Sequence, residues 1–193
     1  TKRIQALFAA RPSVSLPLPF VLFGLGGLTR FSLGAVMNGR PDVTALPQSN
    51  DGGFHMTIIV LDGQGGGIGR AIISALLPLL PQGAQLLCVG TNAMATAAML
   101  KAGAQRGATG ENAVRWAAQN ADILIAPIAL VLKDSMMGEI TGDMAASVGS
   151  SRATRILVPT ERCGTHVAGA HGVSMQALVE DAARQAAAMA AGA

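Results

Sequence analysis

Aromatic rings and charged side chains are scarce in this sequence. Tyrosine is absent, tryptophan occurs once, and charged residues make up only 13 % of the chain. The net charge of +3 comes from residues 1–55, because residues 56–193 contain nine basic and nine acidic side chains. A surface that binds nucleic acids needs clustered basic residues and commonly uses aromatic rings that stack on bases. We therefore expect no nucleic-acid partner.

Cysteine is also scarce, since only Cys88 and Cys163 occur. Cys88 lies within the apolar run 84–90, which predicts a buried, reduced thiol rather than a disulfide scaffold. His166 and His171 are five residues apart, and no group of Cys, His and Asp has the spacing of a structural zinc site. We predict no such metal site and a cytoplasmic location.

Long hydrophobic runs are missing as well. The apolar run 14–28 is interrupted by Pro17 and Pro19 and followed by Arg30, so it is too short for a membrane helix. Residues 1–55 contain five of the nine prolines and show no regular period. We interpret them as an N-terminal extension, disordered or arising from an upstream start, with a targeting segment as the alternative. A compact domain is expected over residues 56–193.

Regular patterning begins near Met56. Apolar runs that resemble buried strands alternate with segments of helical spacing, which indicates a parallel sheet covered on both faces. The strands are predicted at residues 57–61, 84–90, 121–127, 154–159 and 165–170, and the helices at residues 67–80, 92–103, 111–120, 141–151 and 174–192. This order predicts an α/β, doubly wound, mostly parallel sheet of about five strands in a Rossmann-like three-layer sandwich.

The most informative segment is "TIIVLDGQGGGIGR", residues 57–70, in which a strand runs through a glycine-rich loop into a helix. Gly63 is expected to take a positive φ, Gly65 to Gly67 to admit a phosphate, and Gly69 to allow close helix packing. The alternative is a tight turn that binds nothing. The candidate binding residues in this loop are Gly63, Gln64, Gly65, Gly66, Gly67, Ile68 and Gly69.

The loop spacing resembles the cofactor loop of short-chain dehydrogenases. Those enzymes carry a catalytic Tyr-x-x-x-Lys, and a chain without tyrosine cannot use that mechanism. The second strand ends in Thr91 and Asn92, which lack the charge that a nicotinamide dinucleotide site commonly has there. These two residues either contact a ribose or base, or cap the following helix.

Several other polar residues follow predicted strands. Thr109, Glu111 and Asn112 either lie on the rim of the binding site or cap a helix. Asp62, at the end of the first strand, either binds its own loop amides or acts as a magnesium ligand or hydroxyl anchor. Residues 126–141, which include Glu139, are interpreted as a lid or an oligomer contact. Asp62 and Glu139 are the candidate catalytic residues.

Several motifs together resemble one family. They are "VLDGQGGGIG", "GTNAMATAAMLKAGA", "GATGENA", "ADILIAPIALVL", "MMGEIT" and "GSSRATRILVP". In combination they are similar to a family of small bacterial proteins known only as the domain of unknown function number 3842, and the resemblance covers residues 56–190. It implies a compact Rossmann-like protein with a natural start near Met56. It implies no activity, and no catalytic residue is carried over from it.

Three functions remain open at this point. The first is binding of a nucleotide or other phosphorylated small ligand at the glycine loop, as a sensor or regulatory module. Its cofactor is unidentified, with a nucleotide or dinucleotide, with or without Mg²⁺, as the candidates. The second is an enzyme that uses the same pocket, with Asp62 or Glu139 as acid, base or metal ligand. The third is a structural subunit with an empty glycine turn. A homo-oligomer is expected.

Overall fold

The computed structural model describes residues 56–160 and 165–192. The expectations for residues 1–55 and for Cys163 lie outside this part of the chain. The strands are β1 (Thr57–Asp62), β2 (Gln85–Gly90), β3 (Arg106–Thr109), β4 (Ile123–Pro127) and β5 (Thr154–Val158). The helices are α1 (Gly67–Leu76), α2 (Ala93–Lys101), α3 (Glu111–Asn120), α4 (Gly142–Gly149) and α5 (Met175–Ala191).

The five strands form one parallel sheet in the order β3-β2-β1-β4-β5. The chain runs outward from β1 to β3 and then returns to β4 on the other side of β1. This reversal of strand order places a topological switch point between the carboxyl ends of β1 and β4, where such folds bind ligands. The predicted fold class is confirmed.

Alternation along each strand supplies two separate hydrophobic cores. Ile58 and Val60 of β1 point to the face covered by α1, α2 and α5, whereas Ile59 and Leu61 point to the face covered by α3 and α4. All four side chains are fully buried. Because β1 is buried on both faces, its residues 58–61 form a continuous apolar run.

One predicted strand is wrong and one strand was missed. Residues 165–170 form an irregular segment with a turn, not a strand. The strand that was missed is β3, whose four residues are all exposed at the edge of the sheet. Its sequence, RGAT, has no apolar alternation, so hydrophobic periodicity could not indicate it.

Polar side chains cap three helices, and for Asn92 this confirms one of its two predicted roles. The side chains of Asn92, Thr141 and Ser174 accept hydrogen bonds from backbone N–H groups in the first turns of α2, α4 and α5. The capping alternative for Thr109 is wrong, because the N-cap of α3 is Gly110 with φ 98°. A glycine takes this conformation at low cost, so no side-chain cap was needed there.

The alanine-rich helix α5 packs within the chain. Ala182, Ala183 and Ala186 are buried in the core shared with α1, and small side chains let the helix approach closely. Across the described residues, no helix combines the length and the hydrophobicity that a membrane crossing requires.

Candidate functional site

The glycine loop links β1 to α1 at the switch point. Gln64 and Gly66 take left-handed conformations, with φ 51° and 67°, and the Gly66 amide donates to the Gly63 carbonyl at 2.9 Å. The positive φ expected at Gly63 is therefore found at Gln64 and Gly66 instead. Gly66 also precedes the first residue of α1, so the turn delivers the chain directly into the helix.

Three glycines of the loop are closely approached by other atoms. A Cβ added at Gly63 would lie 2.8 Å from the Glu139 Oε2 atom, and one at Gly66 would lie 2.7 Å from the Cα of Ala95. A Cβ at Gly69 would lie 2.8 Å from the Asp62 Cβ, which agrees with its expected packing role. The loop therefore packs closely against the end of β1, the start of α2 and the side chain of Glu139.

The Asp62 carboxylate organises the loop from inside. It is 3 % exposed, and its two oxygens accept the Gly63 amide at 2.8 Å and the Gly69 amide at 2.7 Å. Burial raises the pKa of Asp62, partly offset by these backbone N–H groups, and Glu139 raises it further. Of the two roles considered for Asp62, the geometry shows the binding of its own loop amides.

Glu139 reaches the same loop from a distant part of the sequence. Its Oε2 atom accepts the Gln64 amide at 2.8 Å and the Thr91 hydroxyl at 2.6 Å. The Asn92 carboxamide donates to both oxygens, at 3.2 and 3.3 Å. Burial acts to raise the pKa of Glu139, but the hydrogen bonds from Gln64, Thr91 and Asn92 outweigh it and lower the pKa.

The segment that carries Glu139, residues 132–140, has an unusual backbone and is called the Glu139 loop. Asp134, Met136 and Met137 take positive φ values of 62°, 55° and 61°. Left-handed conformations cost energy in residues that have a Cβ, so the loop is locally strained. The buried Ser135 hydroxyl anchors it by donating to the Ala129 carbonyl at 2.6 Å.

A cavity of about 440 Å³ opens beside the glycine loop. Most of its lining is apolar, and its polar groups come from the ends of β1 and β5. The lining residues are Asp62, Gly63, Gln64, Gly65, Gly67, Ile68, Ala71, Pro127, Ala129, Met136, Thr160 and Met175. The lining includes the carboxyl ends of β1 and β4 and the first residues of α1 and α5.

Two loop amides remain available at this cavity. Within the described residues, the N–H groups of Gly65 and Gly67 donate to no protein acceptor. A Cβ added at either glycine would meet no described atom within 4 Å, so both positions border open space. Because both glycines are exposed and Gly67 begins α1, their amides are candidate donors to an oxyanion.

The amino-acid sequence of the domain assigns it to a family. Residues 57–191 match the family described as "Domain of unknown function (DUF3842)". The chain belongs to this family. The resemblance noted in the sequence motifs is confirmed, and the match begins at the first residue of β1. No protein with a curated description matches the DUF3842 chain.

Solved structures resemble the DUF3842 domain only distantly. AibC is similar at 15 % identity and a TM-score of 0.38, over 70 % of this chain and 43 % of its own. A short-chain dehydrogenase/reductase from Serratia marcescens BCRC 10948 has 17 % identity and a TM-score of 0.35, over 65 % of this chain and 63 % of its own. The DUF3842 chain therefore spans less than two thirds of either of these proteins.

A third structure is the dodecameric FMN-dependent UbiX-like decarboxylase from Escherichia coli O157:H7. It shows 15 % identity and a TM-score of 0.33, and the match covers 68 % of this chain and 76 % of that one.

The sequence-predicted polar residues occupy different places in the DUF3842 domain. Thr91 and Asn92 lie beside the glycine loop, but their side chains bind Glu139. The Thr109 hydroxyl pairs with Thr96 at 2.7 Å, away from the cavity.

The remaining two predicted rim residues belong to α3. Glu111 accepts the Thr141 hydroxyl at 2.8 Å, whereas Asn112 is exposed to solvent. Neither of them lines the cavity of the described chain.

Several cavity residues were missed by the sequence analysis. Pro127 ends β4 and Ala129 follows it, Thr160 follows β5, and Met175 begins α5. The switch-point rule could have indicated Pro127, because it is the last residue of the strand that pairs with β1 opposite β2. No local signal marks Met175 as a cavity residue.

Proposed function

We propose that this domain binds a small phosphorylated ligand in the cavity beside the glycine loop. The observation that carries the proposal is the pair of unpaired amides, Gly65 and Gly67, at the amino-terminal end of α1. Backbone N–H groups at a helix amino terminus are a common way to hold a phosphate without a basic side chain. The domain would act as a sensor or regulatory module.

The size and composition of the cavity support a compact organic ligand. Its volume of about 440 Å³ lies within the range of small-molecule sites, and most lining residues are apolar. The buried Thr160 hydroxyl can donate or accept a hydrogen bond at the far wall. The first residue of α5 also lines the cavity, so a second helix amino terminus contributes positive potential.

The electrostatics favour a ligand that is held by amides and accompanied by a cation. Asp62 is the single charged side chain among the described residues that line the cavity. Two amides share its carboxylate, and its pKa is raised by burial, so its repulsion of an anion is reduced. A Mg²⁺ ion brought with a nucleotide would offset what remains.

An enzyme remains a second candidate, and one observation favours it. A carboxyl group with a raised pKa in a cleft is a typical general acid or base. Asp62 meets that description and lines the cavity, whereas Glu139 does not line it. Both Asp62 oxygens are engaged by loop amides, which favours the binding role over catalysis.

A structural subunit is the third candidate. Three loop amides, those of Gly63, Gln64 and Gly69, already donate hydrogen bonds to acidic side chains of the same chain. This partial closure is what a turn without a ligand would show. Self-association and a cytoplasmic location stay predictions of the sequence; the exposed Met94 and Met137 side chains are compatible with a contact between copies.

Thermal-shift measurements on the full chain test the binding function. The panel contains NAD, NADP, FAD, ATP, GTP, coenzyme A and inorganic phosphate, each with and without Mg²⁺. A ligand at 100 times its Kd stabilises the folded state by about 2.7 kcal/mol. Gly67→Val should abolish the shift, because the new side chain would project into the open space beside the loop amides.

Gly149→Val is the matched control for this experiment. Gly149 also lies in a helix with no described atom within 4 Å of an added Cβ, but it belongs to α4 and does not line the cavity. The control should keep the ligand shift. A panel without any shift, or a shift that Gly67→Val retains, would contradict the proposal. Product formation during incubation would instead support the enzyme.

A further inference from the structure

We propose a second oxyanion-binding subsite, formed by the Gln64 amide, the Thr91 hydroxyl and the Asn92 carboxamide. In this structure the chain's own Glu139 carboxylate occupies it. The inference rests on the proposed function, because it names the ligand class and the internal competitor of the same site. The ligand class is a molecule with two adjacent anionic groups, such as a diphosphate.

The donor geometry is that of an anion site. Three different N–H or O–H groups converge on one carboxylate oxygen, with the Gln64 amide and the Thr91 hydroxyl at 2.8 and 2.6 Å. The Asn92 carboxamide completes the group at 3.3 Å. Donors of neutral charge around one negatively charged oxygen are the arrangement that proteins use for phosphate and carboxylate ligands.

The donors are held in place by contacts that do not involve Glu139. The Asn92 side chain caps α2 through the Ala95 amide at 2.9 Å and also donates to the Gln64 carbonyl at 2.8 Å. The Thr91 amide donates to the Asp62 carbonyl at 3.0 Å, at the ends of the paired strands β1 and β2. The subsite would therefore keep its shape when the carboxylate leaves.

The Glu139 loop has the properties of a displaceable competitor. Its strained residues relax if the loop opens, and the Met137 side chain at its tip is 95 % exposed. Ser135 and Ile140 are buried and anchor the two sides of the tip. A movement of residues 137–139 would withdraw Glu139 while Met136, which packs against the core, stays in place.

The two subsites share the glycine loop. Gly63 and Gln64 line the cavity, and Gln64 is also the residue whose amide binds Glu139. One anionic group at the Gly65 and Gly67 amides would leave a second group within reach of the Gln64 amide, one residue away along the loop. A diphosphate therefore gains the second subsite only by displacing Glu139, whereas inorganic phosphate does not need it.

Isothermal titration of the full chain with pyrophosphate and with inorganic phosphate tests the inference. Glu139→Ala should bind pyrophosphate at least about tenfold more tightly than the unmodified protein, because the competing charge-assisted hydrogen bonds are removed. The affinity for inorganic phosphate should change by less than about threefold. Adding Thr91→Val to Glu139→Ala should reverse most of the gain in pyrophosphate affinity.

Asp134→Asn is the control for loss of negative charge. Asp134 lies in the same loop and is exposed, and asparagine tolerates its positive φ. Its pyrophosphate affinity should stay within about threefold of the unmodified protein. If Glu139→Ala does not fold, as judged by circular dichroism, Glu139→Gln takes its place, with a smaller gain expected in the same direction.

The outcomes separate this inference from the proposed function. Unchanged pyrophosphate affinity in Glu139→Ala, with binding that Gly67→Val abolishes, overturns the second subsite and keeps the first. Binding that appears only in Glu139→Ala, depends on Thr91 and ignores Gly67→Val supports the second subsite and overturns the cavity function. A gain of equal size in Asp134→Asn overturns the subsite, because the effect would be one of net charge.

Discussion

At the scale of single residues, the two carboxylates of the site experience opposite environments. Asp62 is buried, and the cost of removing its charge from water raises its pKa despite the loop amides. Glu139 is only partly buried, so three hydrogen bonds to its charged form outweigh desolvation and lower its pKa. The same loop therefore holds one carboxyl group that resists ionisation and one that favours it.

Because the pKa of Glu139 is lowered, the contact between Glu139 and the glycine loop should stabilise the fold at neutral pH and lose this effect in acid. A carboxyl group with a lower pKa in the folded state stabilises that state above its unfolded pKa, and this contribution disappears as the pH falls through the folded pKa. Glu139→Gln should lower the Tm at pH 7 by a few degrees, on the order of 3 °C. The difference in Tm between the two proteins should disappear as the pH falls below the ordinary pKa of glutamate.

Melting curves of both proteins between pH 7 and pH 3 check this prediction. Asp62 contributes with the opposite sign, because its raised pKa makes its share of the stability largest at low pH and smaller as the pH rises. Glu139→Gln also removes the part of the Asp62 pKa shift that comes from the Glu139 charge, so the contribution of Asp62 cancels only in part in the comparison. A gap that does not depend on pH would contradict the role of the Glu139 charge.

At the scale of elements, the glycines of the β1–α1 connection have different tasks. Gly66 combines a φ of 67° with a backbone contact to α2 that leaves no room for a Cβ. Gly67, the first residue of α1, has neither constraint and borders the cavity. Gly66 is therefore required by the fold, whereas Gly67 is available for a ligand.

Alanine substitution should separate these two tasks. Gly66→Ala should lower the free energy of unfolding by about 2 kcal/mol or more, through strain at positive φ and collision with Ala95. Gly67→Ala should be neutral or stabilising by up to about 1 kcal/mol, because alanine favours the helix. Urea unfolding followed by circular dichroism measures both. Equal losses at the two positions would show that the loop does not tolerate any side chain.

At the scale of the whole molecule, the described hydrophobic cores draw on one continuous stretch of sequence. Both core clusters consist of residues between Ile58 and Ala186, on the two faces of one sheet. The family match also begins at residue 57. These observations support the proposal that residues 56–193 form a self-sufficient domain.

The fragment 56–193 is therefore expected to fold alone. Its thermal unfolding should be cooperative, with a Tm within about 5 °C of that of the full chain, because it contains buried core clusters on both faces of the five-stranded sheet. Differential scanning calorimetry of both proteins makes the comparison. A fragment without a cooperative transition would show that residues 1–55 supply part of the stability.

Local patterns in the sequence determined most of this fold. Apolar runs indicated β1, β2, β4 and β5, because strands buried on both faces need continuous apolar side chains. Helical spacing and polar caps indicated the helices, because these signals arise among residues three or four positions apart. The β1–α1 glycine loop was recognised for the same reason, since strand, turn and helix are adjacent in sequence.

The tertiary structure alone decided the details of the site. Glu139 meets the Gln64 amide across 75 positions of sequence, and the strained loop that carries it has no periodic pattern. Thr91 and Asn92 were expected either to contact a ligand or to cap α2. In the folded chain both bind this carboxylate, and Asn92 also caps α2. Sheet order brings these groups together, and sheet order depends on packing over the whole domain rather than on neighbouring residues.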